Sequence, residues 1–396
     1  MERNILTRNA HLALMLLGVL MNVLGPTLPF MIAEYEISQA TAGTLFTLLS
    51  LGRLCTVFFG GNLSDSYGRK PLIVAGSLLL ATSMLGFALS HSWLVHLLFI
   101  FVAGLSYGLL DIAVNALIAD IYPEERGAAL NLLHAFFGVG SCLGALVAGF
   151  YLSTTNNWRV LYILIATCAL IYGFTSFYLV YPKAVSNKES KRLELKVAKP
   201  ILVHYVFWIL ALTIFAYTGV SQGIMGWLKK YLNDTFSLAP IVASIVHALY
   251  NLGLSGGRLV CSRICVCLGY KGTIILCTGG AALSLTVAIF STSLLLVTTG
   301  FMLTGFFLAG LFPTVIAMGS DLFPNATGTV SGLLITSASL GGMFIPAAIG
   351  AISDYAGMLV GMATSCLVLL LVTVTSLRLP GSKKAGSSSP PKEVNL

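Results

Sequence analysis

The feature that most constrains this chain is a succession of apolar runs, each about 20 residues long, separated by short polar breaks. A run of that length is sufficient for a helix to cross the hydrocarbon core of a bilayer. Composition agrees, because 57% of the 396 residues are hydrophobic and 9% are charged, whereas a soluble domain carries about 25% charged residues. The chain is therefore predicted to be a polytopic membrane protein, which excludes a soluble enzyme, a nucleic-acid binder and a disulfide-stabilised scaffold.

The polar breaks predict twelve membrane spans. Backbone exposed to lipid must satisfy its own hydrogen bonds, and the runs lack the alternating pattern of a barrel strand. Each span is therefore predicted to be a helix, and the fold class is an all-α membrane protein with two pseudo-symmetric six-helix halves. The spans are placed at residues 9–33, 40–63, 71–91, 94–118, 127–152, 158–181, 201–228, 239–262, 272–290, 294–318, 327–352 and 358–378.

A basic interruption divides the spans six and six, and residues recur across it at a spacing of 201 positions. Such a recurrence indicates an internal repeat. The predicted parts are an N-terminal half (1–181), a cytoplasmic linker (182–200), a C-terminal half (201–380) and a disordered cytoplasmic tail (381–396). The repeated pairs include Gly68 and Gly269, Gly104 and Gly305, Asp120 and Asp321, and Gly140 and Gly341.

The positions of the 22 Lys and Arg residues predict the orientation of the chain. Most of them lie in breaks on the same side as the N-terminus, as expected of cytoplasmic loops. Both termini are therefore predicted to be cytoplasmic, in a multi-pass protein of the cell membrane. Three basic residues lie on the opposite side: Arg159, Lys229 and Lys230. The aromatic residues beside them are predicted to form an interfacial belt with them: Trp158, Trp227 and Tyr231.

Two six-helix halves joined by a basic linker are an arrangement that secondary transporters use, with the substrate bound near the bilayer midplane. The sequence contains no phosphate loop, nucleophile triad or metal-ligand spacing, so neither enzymatic activity nor a cofactor or metal is predicted. The eight cysteines lie in or beside apolar runs and are predicted to pack between helices. The predicted partners are a small-molecule substrate, protons or sodium ions, and the lipid bilayer; no nucleic acid is expected, and the chain is predicted to be a monomer.

The loop after the second span contains Gly61, Asp65, Gly68, Arg69 and Lys70 in the order Gly-x-Leu-small-Asp-x-x-Gly-Arg-Lys. This pattern resembles the signature loop of the major facilitator superfamily. The resemblance implies the major facilitator fold and transport by alternating access, with Asp65 helping to hold a cytoplasmic gate shut. Physical reasons support the residue types, because glycine tolerates a positive φ in the turn and the two cations anchor the loop in the cytoplasm.

A second resemblance covers the predicted fourth and fifth helices, where Asp111-Ile-Ala-Val-Asn115 precedes a Leu-Asn-Leu-Leu-His run that ends at His134. The two segments are similar to the fucose, galactose and glucose permease branch of the superfamily. The resemblance implies that Asp111 takes part in ion coupling and sugar binding. The chain departs from that branch at two positions, with Ser221 in place of a frequent Glu and Gly25 in place of an acid of the first helix.

Asp111 is the one carboxylate that the sequence places well inside a span. An ionised acid at that depth is costly, so it is predicted either to exchange protons or to have a charged partner. Helical spacing puts Tyr107, Asp111 and Asn115 on one stripe that suits a sugar ring and its hydroxyls. The structural alternative is a pair with Arg53, which lies at a similar depth in the second helix.

Other candidate substrate contacts lie beside Gly or Pro in the first and seventh helices, in polar stripes of the fifth and eighth helices, and at the repeat equivalent of Asp111. The alternative for each is packing or hydrogen bonding between helices. His134 is also a candidate proton relay, because imidazole titrates near neutral pH. The candidates are Asn22, Asn131, His134, Tyr217, Gln222, His247, Tyr250, Asn251 and Phe312.

These observations predict a secondary transporter that takes up a small neutral polar solute, such as a monosaccharide, together with protons. Two alternatives remain open. One is a proton-driven efflux carrier for lipophilic compounds, because drug exporters share the signature loop. The other is a sensor that uses the same scaffold without transporting anything.

Overall fold

A computed structural model describes the backbone of residues 2–181 and 195–381. Side chains are described in these ranges except at residues 2, 57–66, 126–128, 131, 195–198, 259, 262–263, 266 and 325. Within the described part the regular structure is helical. The predicted all-α membrane fold is confirmed.

Helices α1 to α6 belong to the first half of the sequence and α7 to α13 to the second half. Their bounds are α1 Glu2–Tyr35, α2 Gln39–Tyr67, α3 Arg69–Leu89, α4 Trp93–Ile121, α5 Arg126–Thr154, α6 Arg159–Tyr178, α7 Leu195–Val203, α8 Tyr205–Phe236, α9 Pro240–Phe290, α10 Leu294–Leu308, α11 Leu311–Leu322, α12 Thr327–Ala356 and α13 Met358–Ser376. Of the described helices, 10 are long and apolar enough to cross a membrane.

The structure differs from the predicted spans in three places. The seventh span (201–228) is interrupted near its start, because α7 ends at Val203 and α8 begins at Tyr205. The eighth and ninth spans form one helical run, α9, which bends at Gly269 (φ 68°). The tenth span is divided into α10 and α11 at Ala309 and Gly310. Pro313 explains the break between α10 and α11. Proline has no N–H to donate to the carbonyl four residues earlier, which is that of Ala309.

The described chain forms two compact units that differ from the two halves of the sequence. Unit 1 contains Met1–Ser190, Gln222–Ala248 and Pro346–Gly361. Unit 2 contains Lys191–Ser221, Leu249–Ile345 and Met362–Leu396. Residues 182–194 and 382–396 lie outside the described residues, so the predicted linker and tail boundaries stay predictions.

In unit 1, α1 packs on α5, α2 on α4, and α3 on both α4 and α6. Glycines allow the backbones of α2 and α4 to approach closely. A Cβ atom at Gly52 would meet the carbonyl oxygen of Phe101, and one at Gly104 would meet that of Leu49. Small residues of this kind let membrane helices come into direct backbone contact.

Unit 2 has the same close approach between the first part of α9 and α10. A Cβ atom at Gly253 would meet the carbonyl oxygen of Met302, and one at Gly305 would meet that of Tyr250. Each of these four residues lies 201 positions after its counterpart in α2 or α4. The repeat therefore preserves a specific helix crossing as well as residue types.

Asp354, near the end of α12, caps the first turn of α2 inside unit 1. Its Oδ1 accepts a hydrogen bond from the backbone N–H of Gln39, and its Oδ2 accepts one from Ala40, both at 2.7 Å. The first N–H groups of a helix have no partner within the helix, and the helix dipole favours an anion there. A carboxylate that is distant in sequence thus accepts the hydrogen bonds of the first N–H groups of α2.

Candidate functional site

The turn between α2 and α3 has the backbone geometry that its glycine predicts. Gly68 has a φ of 84°, and its repeat equivalent Gly269 has a φ of 68°. The predicted positive φ is confirmed. The side chains of Gly61 and Asp65 lie outside the described residues, so the gate role of Asp65 stays a prediction.

Arg69, the first residue of α3, connects this turn to the end of α4. Its side chain is 8% exposed, and Nε donates to Oδ2 of Asp120 at 3.0 Å. The repeat equivalents make the corresponding contact in unit 2, where the hydroxyl of Tyr270 donates to Oδ2 of Asp321 at 2.8 Å. Lys70 lies with Nζ 5.4 Å from the ring centroid of Phe177. The repeat therefore conserves the acid and exchanges a cation for a phenol.

We expect Asp120→Asn to lower the free energy of unfolding by about 1–3 kcal/mol, because Arg69 keeps its charge while losing an ionised partner. Asp321→Asn is the matched control. Tyr270 is uncharged, so that variant is expected to lose less than about 1 kcal/mol. Thermal unfolding of both variants in detergent measures the difference, and equal losses would show that the charge of Arg69 is irrelevant.

The predicted stripe of α4 lies against Arg53 of α2 in unit 1. Nη2 of Arg53 lies 3.1 Å from Oδ2 of Asp111, and the two side chains are 36% and 19% exposed. Nδ2 of Asn115 donates to Oδ1 of Asp111 at 2.8 Å and to its carbonyl oxygen at 2.7 Å. The pair that the sequence offered as the structural alternative is therefore present.

Tyr107 completes this cluster, which we call the α4 polar cluster (Arg53, Tyr107, Asp111 and Asn115). The Arg53 guanidinium carbon lies 4.6 Å from the centroid of the Tyr107 ring, a cation–π distance. Both oxygens of Asp111 thus accept hydrogen bonds in a partly accessible site. A proton added to Asp111 would remove its charge and weaken its attraction to Arg53.

The close crossing of α2 and α4 determines where Arg53 lies. A Cβ atom at Gly104 would lie 3.1 Å from the backbone nitrogen of Arg53. The glycines at this crossing therefore keep α2 so close to α4 that the side chain of Arg53 contacts α4. The sequence contains this signal, because Arg53 lies within a predicted span, directly after Gly52.

Unit 2 brings four of the other polar and aromatic residues together in two pairs. The rings of Tyr217 and Phe312 are tilted, with their centroids 6.1 Å apart. The hydroxyls of Ser221 and Tyr250 are 2.9 Å apart and share a hydrogen bond. Ser221, where the chain departs from the sugar permease branch, is thus a hydrogen-bonding partner of the candidate residue Tyr250. Asn251, which follows Tyr250 in α9, is also buried.

The remaining candidates in unit 1 are dispersed. Asn22 is fully buried, and its Nδ2 donates to the carbonyl oxygen of Gly18 at 3.0 Å within α1. Oε1 of Gln222 accepts a hydrogen bond from Ser50 at 3.3 Å. His247 is fully buried. His134 is half-buried in α5, and the side chain of Asn131 lies outside the described residues.

The predicted interfacial belt is wrong for four of its six residues. Trp158, Trp227 and Tyr231 are at most 1% exposed. Trp227 donates Nε1 to the carbonyl of Pro346 at 2.8 Å, and Trp158 donates Nε1 to Glu34 at 2.7 Å. These side chains therefore hold helices together instead of facing lipid head groups.

Lys229 is the fourth incorrectly predicted residue of the belt and is buried inside unit 1. Its side chain is 6% exposed, and Nζ donates to the carbonyl oxygen of Ala145 at 3.2 Å. Arg159 also has a structural partner, because its Nη2 lies 2.6 Å from Oε1 of Glu34. Sequence reasoning missed both contacts, since the partners are distant in the chain.

Comparison with known proteins agrees with this geometry. The sequence matches the Major Facilitator Superfamily over residues 10–265 and 211–395. The chain belongs to this superfamily. It is therefore a multi-pass membrane transporter, as the signature loop predicts.

Individual relatives are distant but cover nearly the whole chain. The chain is 26% identical over 355 residues to an uncharacterized MFS-type transporter, YfkL, of Bacillus subtilis, which covers 86% of this chain and 87% of that protein. It is 28% identical over 371 residues to Multidrug resistance protein 2 of the same species, which covers 88% of each. The inward-open structure of the xylose transporter XylE from E. coli aligns with a TM-score of 0.78 at 15% identity and covers 98% of each chain. At this identity, the similarity to the xylose transporter shows a shared fold alone.

Proposed function

We propose that this transporter takes up a small neutral polar solute, such as a monosaccharide, together with a proton that binds to Asp111. The observation that supports this function is the α4 polar cluster. An ionisable group inside a membrane span marks an ion or substrate pathway by default. Here the acid is held by a cation on a second helix and remains partly accessible to a proton.

The cluster has two charge states with different contacts. With Asp111 ionised, its two oxygens hold Arg53 of α2 and Asn115 of α4. With Asp111 protonated, the attraction to Arg53 weakens, and the guanidinium and the amide become available to other acceptors. A solute that binds the protonated state better would shift the population toward it, which couples proton binding to solute binding.

The chemistry of the cluster suits a sugar. The ring of Tyr107 is 5% exposed and lies against the Arg53 guanidinium, while Arg53 and Asn115 offer donors and an amide oxygen for hydroxyl groups. The resemblance of the fourth and fifth helices to sugar permeases supports the same assignment, and the distribution of Lys and Arg supports cytoplasmic termini.

Counterflow of labelled hexoses in proteoliposomes tests the substrate separately from the coupling, because exchange needs no ion gradient. Proteoliposomes loaded with unlabelled sugar are expected to take up labelled sugar transiently, and competing unlabelled sugar outside is expected to abolish the signal. Liposomes without protein are the control. If folded, reconstituted protein exchanges none of the hexoses, the sugar assignment is wrong.

A second candidate is proton-driven efflux of lipophilic compounds. It is favoured by the 28% identity to Multidrug resistance protein 2, which extends over 88% of this chain. Everted vesicles containing the protein would then accumulate a lipophilic cationic dye when energised, and a protonophore would release it. The same vesicles would show no hexose exchange, so the two assays separate the candidates.

A further inference from the structure

A cavity of about 260 Å³ lies inside unit 1, where α1, α5, α8 and α9 meet. Most of its wall is apolar and includes Pro29, Phe30 and Leu152. Its polar side chains are those of Lys229 and Asn233, one turn apart on α8. None of the residues of the α4 polar cluster lines it, so the cavity is separate from the proposed coupling site.

Lys229 and Lys230 are neighbours in α8 but have different surroundings. Nζ of Lys230 pairs with the carboxylate of Asp234 at 2.9 Å. Nζ of Lys229 donates to the backbone carbonyl of Ala145 at 3.2 Å. Among the described side chains, no carboxylate lies within ion-pair distance of Lys229.

A buried ammonium with a carbonyl as partner is only partly compensated. Taking a charge out of water costs several kcal/mol, and a neutral carbonyl recovers less of this cost than an anion does. His247, which interacts electrostatically with Lys229, is neutral or cationic and adds no negative charge. The cavity therefore presents one basic nitrogen in an otherwise apolar wall, and an anion bound beside it would stabilise its charged form.

The helix packing around the cavity is tight. A Cβ atom at Gly149, which lines the cavity, would meet the side chain of Ser244, so α5 and α9 are in close contact there. Gly149 lies one turn after Ala145, the carbonyl partner of Lys229. Nζ of Lys229 and part of the cavity wall are thus both in contact with α5.

We propose that this cavity binds a small monocarboxylate with an apolar body, whose carboxylate pairs with Lys229 and whose body packs against Pro29, Phe30 and Leu152. One basic nitrogen matches one negative charge. The volume lies below the roughly 300–1,000 Å³ of pockets for drug-sized ligands, so the ligand has the size of a simple aromatic acid. This site goes beyond the proposed sugar transport.

Binding of radiolabelled benzoate to the full-length protein in phosphatidylcholine nanodiscs at neutral pH tests the proposal. Wild-type protein is expected to bind benzoate saturably, and benzyl alcohol, which has a similar body without charge, is expected not to compete. Lys229→Gln is expected to weaken binding at least about tenfold, the factor that corresponds to about 1.4 kcal/mol. Lys230→Gln is the matched control and is expected to bind as the wild type does.

Ala33→Trp keeps Lys229 and blocks the cavity. Ala33 is exposed at its edge, so the larger side chain fits without disturbing the core. This variant is expected to lose benzoate binding while unfolding at the wild-type temperature, and it decides the question if Lys229→Gln fails to fold. Equal affinity in wild type, Lys229→Gln and Ala33→Trp, or no saturable binding to folded wild-type protein, would overturn the proposal. Benzoate binding needs no hexose flux, so failure of the sugar assignment leaves this test intact.

Discussion

Asp111→Asn is expected to abolish accumulation of the solute against its gradient while leaving counterflow measurable. The amide has nearly the shape of the carboxylate but cannot take up a proton, so solute binding is no longer linked to the proton gradient. Its oxygen can still accept a hydrogen bond from Arg53 or Asn115, and Arg53 is 36% exposed, so solvent moderates the effect of the lost charge. Uptake driven by an imposed pH gradient, measured beside counterflow in the same proteoliposomes, gives both quantities.

Asp234→Asn is the control for this experiment. Asp234 also pairs with a cation, Lys230 of the same helix, but at an exposed i,i+4 position. Its loss is expected to leave both accumulation and counterflow near wild-type levels, because such exposed pairs contribute about 0.3–0.5 kcal/mol. Accumulation that survives in Asp111→Asn would remove this residue from the coupling mechanism.

Gly104→Val is expected to have the largest effect on stability. The added side chain would meet the backbone of α2 at Leu49 and Arg53, and backbone cannot move aside as a flexible side chain can. Overpacking of this kind costs about 1–3 kcal/mol and occasionally more, and separation of α2 from α4 would also break the pair of Arg53 with Asp111. The unfolding entropy of a 396-residue chain is about 0.8 kcal/mol/K, so we expect the melting temperature in detergent to fall by about 1–4 °C.

Gly256→Val is the matched control, because a Cβ atom at Gly256 would have no neighbour within 4 Å. Both substitutions place the same β-branched residue inside a membrane helix, so helix propensity cancels between them. The difference between the two melting temperatures measures the helix crossing alone. Equal temperatures would mean that α2 and α4 can separate without cost.

Patterns of local spacing predicted much of this protein from its sequence. The apolar runs located the helices, since bilayer thickness determines the length of a span. The 201-residue offset predicted that Gly104 and Gly305 are equivalent, and each lies at the corresponding helix crossing of its own unit. The Gly68 turn was predictable because only a residue without Cβ adopts its positive φ readily.

The candidate site was only partly predictable. Spacing of four residues placed Tyr107, Asp111 and Asn115 on one face of α4, and similar depth in the membrane pointed to Arg53 as a partner. Whether that partner is actually in contact depends on how closely α2 approaches α4. This distance is set by the packing of glycines against backbone, which a sequence pattern suggests but does not measure.

Two adjacent lysines differ in a property that the sequence does not determine and the tertiary structure does, namely which of them is buried. Lys229 and Lys230 stand beside the same aromatic residues, and the sequence by itself determined only that a basic, aromatic segment ends this span. Successive residues of a helix point about 100° apart, so one ammonium reaches Asp234 at the surface while the other enters the bundle. Which of the two is buried was decided by the packing of α8 against α5, a contact between segments more than eighty residues apart.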